Sequence, residues 1–324
     1  MLIGLTYDLR QDYLALGYSE LQVAEFDEER TIAALDRTIQ ELGHRTDRIG
    51  HAKKLCERLV KGDRWDLVFN IAEGVAGRNR EAQVPALLDL YGIPHTFADA
   101  LVCATTLDKA VAKRIVQACG LRTPAFAVVR TPQEAAAVKL RYPLFAKPVA
   151  EGTGKGVTGK SRVATPAELA PACQALFAEF AQPVLVEEYL PGREFTVAVL
   201  GTGSRARALG TMEIHVQDSA GSGIYSHDNK ENWEGRVRYS SPARDAFRAA
   251  IEKLAVDCYV ALECRDAGRV DIRLDADGQP SFMEVNPLAG LNPGHSDLPL
   301  IAEREDLSYR DLIGAILDSA KERL

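Results

Sequence analysis

Two runs near the carboxyl end decide the fold: Gly268-Arg269-Val270-Asp271-Ile272-Arg273-Leu274, and Gln279-Pro280-Ser281-Phe282-Met283-Glu284-Val285-Asn286-Pro287. The first alternates apolar and charged residues, which predicts a strand with one solvated face. Turn residues at 275–278 predict that the second run returns beside it as a hairpin. Side chains two residues apart share a face, which groups Arg269 with Asp271 and Glu284 with Asn286. Carboxylate and amide oxygens are ligands that magnesium takes together with phosphates. A solvated hairpin edge carrying ordinary charges is the alternative interpretation.

Length and composition indicate an ordinary soluble protein of two or three domains. The chain has 324 residues, of which 46% are hydrophobic and 26% charged, and its net charge is -7. This balance argues against general binding of nucleic acid or membrane surfaces, but leaves room for a local phosphate pocket. No apolar run approaches the roughly 20 residues of a membrane span, and no signal peptide precedes the first strand. Six scattered cysteines indicate reduced thiols and a cytoplasmic location.

The first hundred residues alternate strand-like and helix-like segments, which predicts a parallel, Rossmann-like sheet. Ligands bind such sheets at the carboxyl ends of the strands, and the loop at residues 73–80 lies at one of these ends. Residues 8–26 are rich in polar and aromatic side chains and are expected to form either a lid over a site or a surface excursion. One interpretation of Arg80 is a simple ion pair with Glu81 on a surface turn.

Four further segments carry local signals. Two helices are predicted between residues 99 and 120, the second capped by Thr105 or Thr106, and Ser241-Pro242 is expected to cap a later helix. Residues 151–159 hold four glycines directly after a strand that contains Lys147, which favours a phosphate-binding loop over a hairpin turn. The acidic segment 187–194 is either a nucleoside site or a solvated connector.

Six motifs in one order resemble the ATP-grasp superfamily and, within it, the D-alanine–D-alanine ligases. The resemblance covers roughly two thirds of the chain. It implies an α/β chain in which a Rossmann-like pre-ATP-grasp domain at 1–99 precedes the central and C-terminal ATP-grasp domains at 100–185 and 186–324. ATP would lie between two antiparallel sheets. The motifs are Leu107-Asp108-Lys109, Phe145-Ala146-Lys147-Pro148, Glu151-Gly152-Thr153-Gly154-Lys155-Gly156, the run from Glu187 to Val197, Gly268-Arg269-Val270-Asp271 and Met283-Glu284-Val285-Asn286.

The resemblance also assigns roles at the nucleotide. Lys109 and Lys147 would contact the phosphates, and Lys230 would reach the γ-phosphate from a mobile loop. Glu187 and the Leu190 backbone would meet adenine, while Glu194 would bind the ribose hydroxyls.

At the reacting centre, Arg269 would stabilise the tetrahedral oxyanion. Thr153 and Gly154 occupy the position of the family's paired serines in the glycine loop. Two magnesium ions, with manganese as an alternative, would be held by Asp271, Glu284 and Asn286.

The amino-terminal part departs from the family pattern. The family's glycine- and serine-rich loop, which holds the first substrate's ammonium group, is replaced by Tyr7-Asp8-Leu9-Arg10. Glu20 is a loose substitute, and Glu73 is the better candidate for an ammonium partner because it follows a strand end. His295 and Ser296 fit the pattern for the acceptor carboxylate, whereas Asp297 adds an unexpected negative charge.

These features predict an ATP- and magnesium-dependent carboxylate–amine ligase that forms an amide bond through an acyl phosphate. One alternative is the same chemistry on a different carboxylate or amine in a specialised biosynthetic pathway, and another is a non-catalytic nucleotide-binding regulator. The expected partners are small carboxylates and amines, with amino acids favoured, and neither nucleic acid nor membrane. A homodimer is expected from the family.

Overall fold

The structure is a computed structural model that describes residues 1–216 and 237–324. It is a mixed α/β chain with one parallel and two antiparallel sheets. Lys230, predicted to reach the γ-phosphate, lies outside the described residues. None of the described helices qualifies as a membrane span.

The amino-terminal part contains a parallel sheet of three strands in the order β2-β1-β3. Ile3 is opposite Thr46 on one side and Leu67 on the other, so both neighbours run parallel to the first strand. Residues 8–26 include a short helix, and Leu9 forms a bridge to Asp27. The elements here are β1 (Leu2–Thr6), α1 (Arg10–Ala15), α2 (Glu29–Glu41), β2 (Arg45–Gly50), α3 (Ala52–Val60), β3 (Leu67–Asn70), a 3-10 turn (Arg80–Ala82) and α4 (Gln83–Leu90).

The middle of the chain forms an antiparallel sheet of four strands in the order β4-β7-β5-β6. Asp108, rather than Thr105 or Thr106, caps α6, because its side chain accepts a hydrogen bond from the Val111 N–H. Thr106 instead donates to the Val102 carbonyl inside the preceding helix. The elements are α5 (Ala100–Leu107), α6 (Lys109–Ala118), β4 (Phe126–Val129), 3-10 turns (Pro132–Ala137, Gly159–Ser161), β5 (Leu144–Pro148), β6 (Arg162–Val163), α7 (Pro166–Phe180) and β7 (Val184–Glu188).

The last part forms an antiparallel sheet of five strands in the order β10-β9-β8-β11-β12. The cap predicted at Ser241-Pro242 is wrong, since Asp245 caps α8 by accepting from the Arg248 N–H. The elements are β8 (Glu194–Leu200), a 3-10 turn (Gly203–Arg205), β9 (Arg207–Val216), β10 (Val237–Ser240), α8 (Ala246–Ala261), β11 (Ala267–Leu274), β12 (Pro280–Asn286), α9 (Asp297–Arg304) and α10 (Tyr309–Lys321).

The hairpin predicted from the deciding stretch is confirmed. Strands β11 and β12 pair antiparallel, with Arg269 opposite Asn286 and Asp271 opposite Glu284. Burial alternates along β11, as expected for a strand with one face in the core. One hydrophobic core joins this hairpin to α8 and to the amino-terminal sheet through residues such as Phe69 and Phe97. The polar ends of β11 and β12 therefore face the space between the sheets from a rigid support.

Candidate active site

Two carboxylates and an amide meet at the end of the hairpin. Asp271 and Glu284 are directly opposite each other, and Asn286 lies two residues further along the same strand. The described residues hold no cluster of three or more His, Cys, Asp or Glu side chains suited to a metal. A set of two carboxylates and one amide still fits magnesium, because that ion retains waters and substrate phosphates among its six ligands.

Two lysines from the middle part of the chain approach the carboxylate of Glu284. The Nζ atoms of Lys147 and Lys109 lie 3.5 and 3.7 Å from Glu284 Oε2. Lys147 is on β5, and Lys109 begins α6, where its ammonium also donates to the Glu151 carbonyl. Although burial opposes the charge on Lys147, Glu187 and Glu284 raise its pKa above the usual value. The predicted phosphate-contacting lysines and metal ligands thus lie side by side.

A third lysine, which the sequence did not single out, lies behind Lys147. Lys113 is fully buried and its Nζ is 2.9 Å from Glu187 Oε2, while Lys147 lies 3.3 Å from Glu187 Oε1. Lys113 also donates to the Thr123 hydroxyl at 2.8 Å. The carboxyl of Glu187 is buried, yet Lys113 and Lys147 hold its pKa below the ordinary value. Glu187, which was expected to meet adenine, contacts these two lysines and is only 1% exposed.

Glu194, the predicted ribose ligand, lines a small cavity of about 80 Å³ between the two antiparallel sheets. Glu194 lies there with Lys147 and Gly154, and Arg273 Nη1 is 3.1 Å from its carboxylate. Leu190 follows β7 and is buried, at 7% exposure. Glu194 therefore lines the same cavity as Lys109 and Lys147.

Arg269 is fixed from both sides. Its Nε and Nη2 atoms donate to the two oxygens of Asp271 at 3.0 Å, and Nη1 is 3.0 Å from Asp297 Oδ2. The negative charge at Asp297, unexpected from the family pattern, is therefore the second counterion of this arginine. The guanidinium has one orientation in the cleft, which suits a donor for a developing oxyanion.

A larger cleft of about 500 Å³ extends from the hairpin end to the amino-terminal part. Ser296 precedes α9, and its Oγ accepts a hydrogen bond from the Asn292 N–H at 3.1 Å. The catalytic and substrate residues predicted from the sequence that line this cleft are Glu73, Thr153, Arg269, Glu284, Asn286, His295, Ser296 and Asp297.

Glu25 links the amino-terminal part to the glycine loop. Its Oε2 atom lies 2.9 Å from both Arg80 Nη2 and Lys155 Nζ. Its other oxygen packs on Gly152 so closely that a Cβ there would overlap it. Glu20, the loose substitute for the missing ammonium-binding acid, instead pairs with Arg10 and is 69% exposed. The surface pair of Arg80 with Glu81 is also wrong, because Arg80 is buried and binds Glu25.

Glu73 and Glu81 both face the large cleft. Burial, reinforced by Glu81 and Glu25, raises the pKa of Glu73 well above its ordinary value. Burial also raises the pKa of Glu81 to about 7, with Arg80 opposing the shift and Glu25 adding to it. The cleft consequently contains two carboxyl groups that resist ionisation when no substrate cation is present.

These shifts predict a pH-dependent gain in stability for Glu81→Gln. A carboxyl whose pKa rises from about 4.3 unfolded to about 7 folded stabilises the fold below pH 4 and loses that contribution as the pH rises through 7. The variant is expected to match the wild type at pH 4 and to exceed its free energy of unfolding at pH 8.5 by roughly 3.5 kcal/mol. Urea unfolding at both pH values measures this difference. Glu57→Gln, at an exposed position on α3, is the control, and parallel pH dependences for wild type and Glu81→Gln would contradict the expected burial cost.

Comparison with known proteins decides the family. The family model described as D-ala D-ala ligase C-terminus matches residues 115–318. The chain belongs to the D-alanine–D-alanine ligase family. A D-alanine–D-alanine ligase of Bordetella petrii is 35% identical over 89% of this chain and 83% of its own length. The uncharacterised protein y4sG of Sinorhizobium fredii is 34% identical over 88% of this chain and 85% of its own length.

Solved structures share the fold. The D-alanine–D-alanine ligase of Bacillus anthracis, in a crystal structure with ATP, has a TM-score of 0.73 and 21% identity, and the match covers 100% of this chain and 98% of that one. The VanG D-Ala:D-Ser ligase of Enterococcus faecalis has a TM-score of 0.75 and 25% identity, with 98% and 99% covered. As a member of the D-alanine–D-alanine ligase family, the chain is an ATP-dependent carbon–nitrogen ligase of ATP-grasp fold.

Proposed function

We propose that this ligase joins the carboxylate of one amino acid to the amine of another, using ATP and magnesium. The observation that carries the proposal is the position of Glu284, which faces Asp271 across the strand pair and both Lys109 and Lys147 across the cleft. That arrangement supports a site where the metal ligands and the phosphate-binding lysines act on the same phosphate group of ATP. A nucleotide-binding regulator without turnover would not need this combination.

In the first step, a carboxylate oxygen of the first substrate attacks the γ-phosphorus of ATP and ADP leaves, which forms an acyl phosphate. We assign Lys109 and Lys147 to the phosphates, and Thr153 and Gly154 to the loop that covers them. Asp271, Glu284 and Asn286 would hold magnesium. When bound, this ion would withdraw charge from the phosphate oxygens and lower the barrier to transfer.

In the second step, the amine of the second substrate attacks the acyl carbon. The phosphate leaves with the electrons of the carbon–oxygen bond, and the nitrogen loses a proton to complete the amide. Arg269, held by Asp271 and Asp297, would donate to the oxyanion that forms on the carbonyl oxygen. Enclosure of the acyl phosphate would keep water from hydrolysing it.

The remaining binding roles extend along both cavities. We assign adenine to the segment around Glu187 and Leu190, with Glu187 acting through its ion pairs to Lys113 and Lys147. Glu194 would bind the ribose hydroxyls, and Lys230 would meet the γ-phosphate.

For the two amino acids, Glu73 would receive the first ammonium group. His295 and Ser296 would receive the acceptor carboxylate. Asp297 would act through Arg269, to which it is ion-paired.

We further propose three domains with boundaries at 1–99, 100–185 and 186–324. The three parallel strands β2-β1-β3 with their flanking helices support a Rossmann-like first domain. A homodimer through that domain and a cytoplasmic location are the expectations that the family carries. The net charge of -7 supports small-molecule substrates rather than nucleic acid.

The decisive experiment is ADP formation across a panel of amino acids of both chiralities, with ATP and magnesium, followed by mass spectrometry of the product. We expect at least one pair to give ADP together with a condensed product whose mass is the sum of the two amino acids less one water. ADP formation with D-alanine alone would identify a D-alanine–D-alanine ligase, whereas activity only with other substrates would place the same chemistry in a specialised pathway. Nucleotide binding without ADP formation from any combination would contradict the ligase proposal and favour a regulator.

A further inference from the structure

The chain doubles back between Glu73 and Glu81 and brings both carboxylates to the same end of the cleft. Asp8, at the end of the first strand and 2% exposed, accepts a hydrogen bond from the Gly74 N–H at 2.9 Å. Gly74 has φ +70, and a Cβ there would lie 2.6 Å from the Arg80 carbonyl oxygen. Only glycine allows this approach, which fixes the residues on either side of the contact.

Neither of these carboxylates has a direct partner in the part of the chain that the structure describes. Glu81 is 8% exposed and lines the cleft, yet it forms no hydrogen bond or ion pair with any described residue. Glu73 lines the same cleft and likewise has no hydrogen bond or ion pair among residues 1–216 and 237–324. A buried carboxylate without a counterion is costly, so its retention at a cleft wall indicates a cationic ligand.

The nearby cations are already committed to other acids. Arg80 binds Glu25, and Lys155 binds both Glu25 and Glu151 at 2.9 and 2.6 Å. The four acids Glu25, Glu73, Glu81 and Glu151 therefore face two cations, Arg80 and Lys155, so two of the four carboxyl groups have no counterion among the described residues.

Lys109 is not a counterion for Glu73 or Glu81. Its ammonium group is occupied by the Glu151 carbonyl and by Glu284 on the nucleotide side of the cleft. A substrate with one ammonium group would pair with one of the two carboxyl groups that have no counterion and would leave the other unpaired.

We infer that Glu73 and Glu81 together form a subsite for two cationic nitrogens, so that the first substrate is an amino acid with a second ammonium group on its side chain. This inference rests on the proposed ligase function. One nitrogen would be the α-ammonium, and the other would belong to a short side chain that ends against the second carboxylate. Removal of one carboxylate should abolish the preference for a dication.

Isosteric pairs of amino acids test the inference directly. Ornithine differs from norleucine, and 2,4-diaminobutyrate from norvaline, by an ammonium group in place of a methyl group. Each is supplied as both enantiomers with ATP, magnesium and an alanine acceptor, and kcat/KM is obtained from ADP release. We expect at least one diamino acid to exceed its isostere about tenfold or more. In Glu81→Gln the ratio is expected to fall to about threefold or less, whereas in Glu57→Gln it should keep its wild-type value.

Failure of the subsite and failure of the ligase proposal give different results. ADP release that is faster with norleucine and norvaline than with the diamino acids would overturn the two-cation subsite while retaining the ligase. A ratio unaffected by Glu81→Gln would overturn it equally. If no amino acid gives ADP, calorimetric binding of each isosteric pair in the presence of magnesium and a non-hydrolysable ATP analogue decides the matter. Tighter binding of the diamino member supports the subsite, and equal or absent binding refutes it.

Discussion

Glu284→Gln is expected to reduce ADP formation about a thousandfold while the secondary structure and melting temperature stay close to those of the wild type. Glutamine keeps the size of the side chain and removes its negative charge. The carboxylate of Glu284 faces Asp271 and lies within 3.7 Å of the ammonium groups of Lys109 and Lys147. An amide there can neither neutralise magnesium nor align the lysines. Steady-state ADP release measures the loss of activity, and circular dichroism measures the secondary structure and the melting temperature.

A matched control is available in the same hairpin. Asp277→Asn makes the equivalent carboxylate-to-amide change in the exposed turn between β11 and β12, and it is expected to retain wild-type turnover. If Glu284→Gln keeps more than about a fifth of the wild-type rate, Glu284 is not a ligand of an essential metal. The assignment of Asp271 and Asn286 as magnesium ligands would then also be wrong.

Lys113→Met is expected to lower the free energy of unfolding by about 3 kcal/mol. The lysine is fully buried, and its ammonium group contacts the Glu187 carboxylate at 2.9 Å and the Thr123 hydroxyl at 2.8 Å. Methionine fills similar volume but leaves Glu187 with one counterion, Lys147, at 3.3 Å. Breaking one side of a buried charge group is costly because the remaining charge stays away from water. Chemical denaturation and the melting temperature report the loss.

Two further variants distinguish the loss of the buried ion pair in Lys113→Met from the general effect of replacing a lysine. Lys139→Met, at an exposed position before β5, should change stability by less than about 0.5 kcal/mol. The double variant Lys113→Met with Glu187→Gln should be more stable than Lys113→Met alone, since it no longer buries a carboxylate that has lost one of its two lysine partners. A loss for Lys113→Met no greater than that for Lys139→Met would show that the buried ion pair contributes nothing to stability.

The sequence was most informative where periodicity and chemistry coincide. Alternation predicted that Arg269 and Asp271 share one face and that Glu284 and Asn286 share one face, and the strand pairing places Arg269 opposite Asn286 and Asp271 opposite Glu284. The order of six motifs likewise led to the family that the comparisons confirm. Helix starts were less predictable. Asp108 and Asp245 cap helices for which Thr105, Thr106 and Ser241 were expected, since several adjacent residues can act as caps.

The substrate end could not be predicted from the sequence, because its residues meet through tertiary contacts. Glu25 lies in a segment without periodicity, yet it joins Arg80 and Lys155 from distant parts of the chain. Lys113 was not singled out from the sequence. A charged residue among the apolar positions of α6 was the one available signal for it, since buried lysines occur almost always with a partner.

The contacts of Glu284 with Lys109 and Lys147 mean that the protein carries internal counterions at the proposed metal site. A magnesium ion bound there would displace the two ammonium groups from Glu284, and those groups would then need anionic partners. The triphosphate of ATP would supply such partners. Under this proposal the metal ion and the nucleotide each favour binding of the other, so the coupling free energy between the two ligands would be favourable.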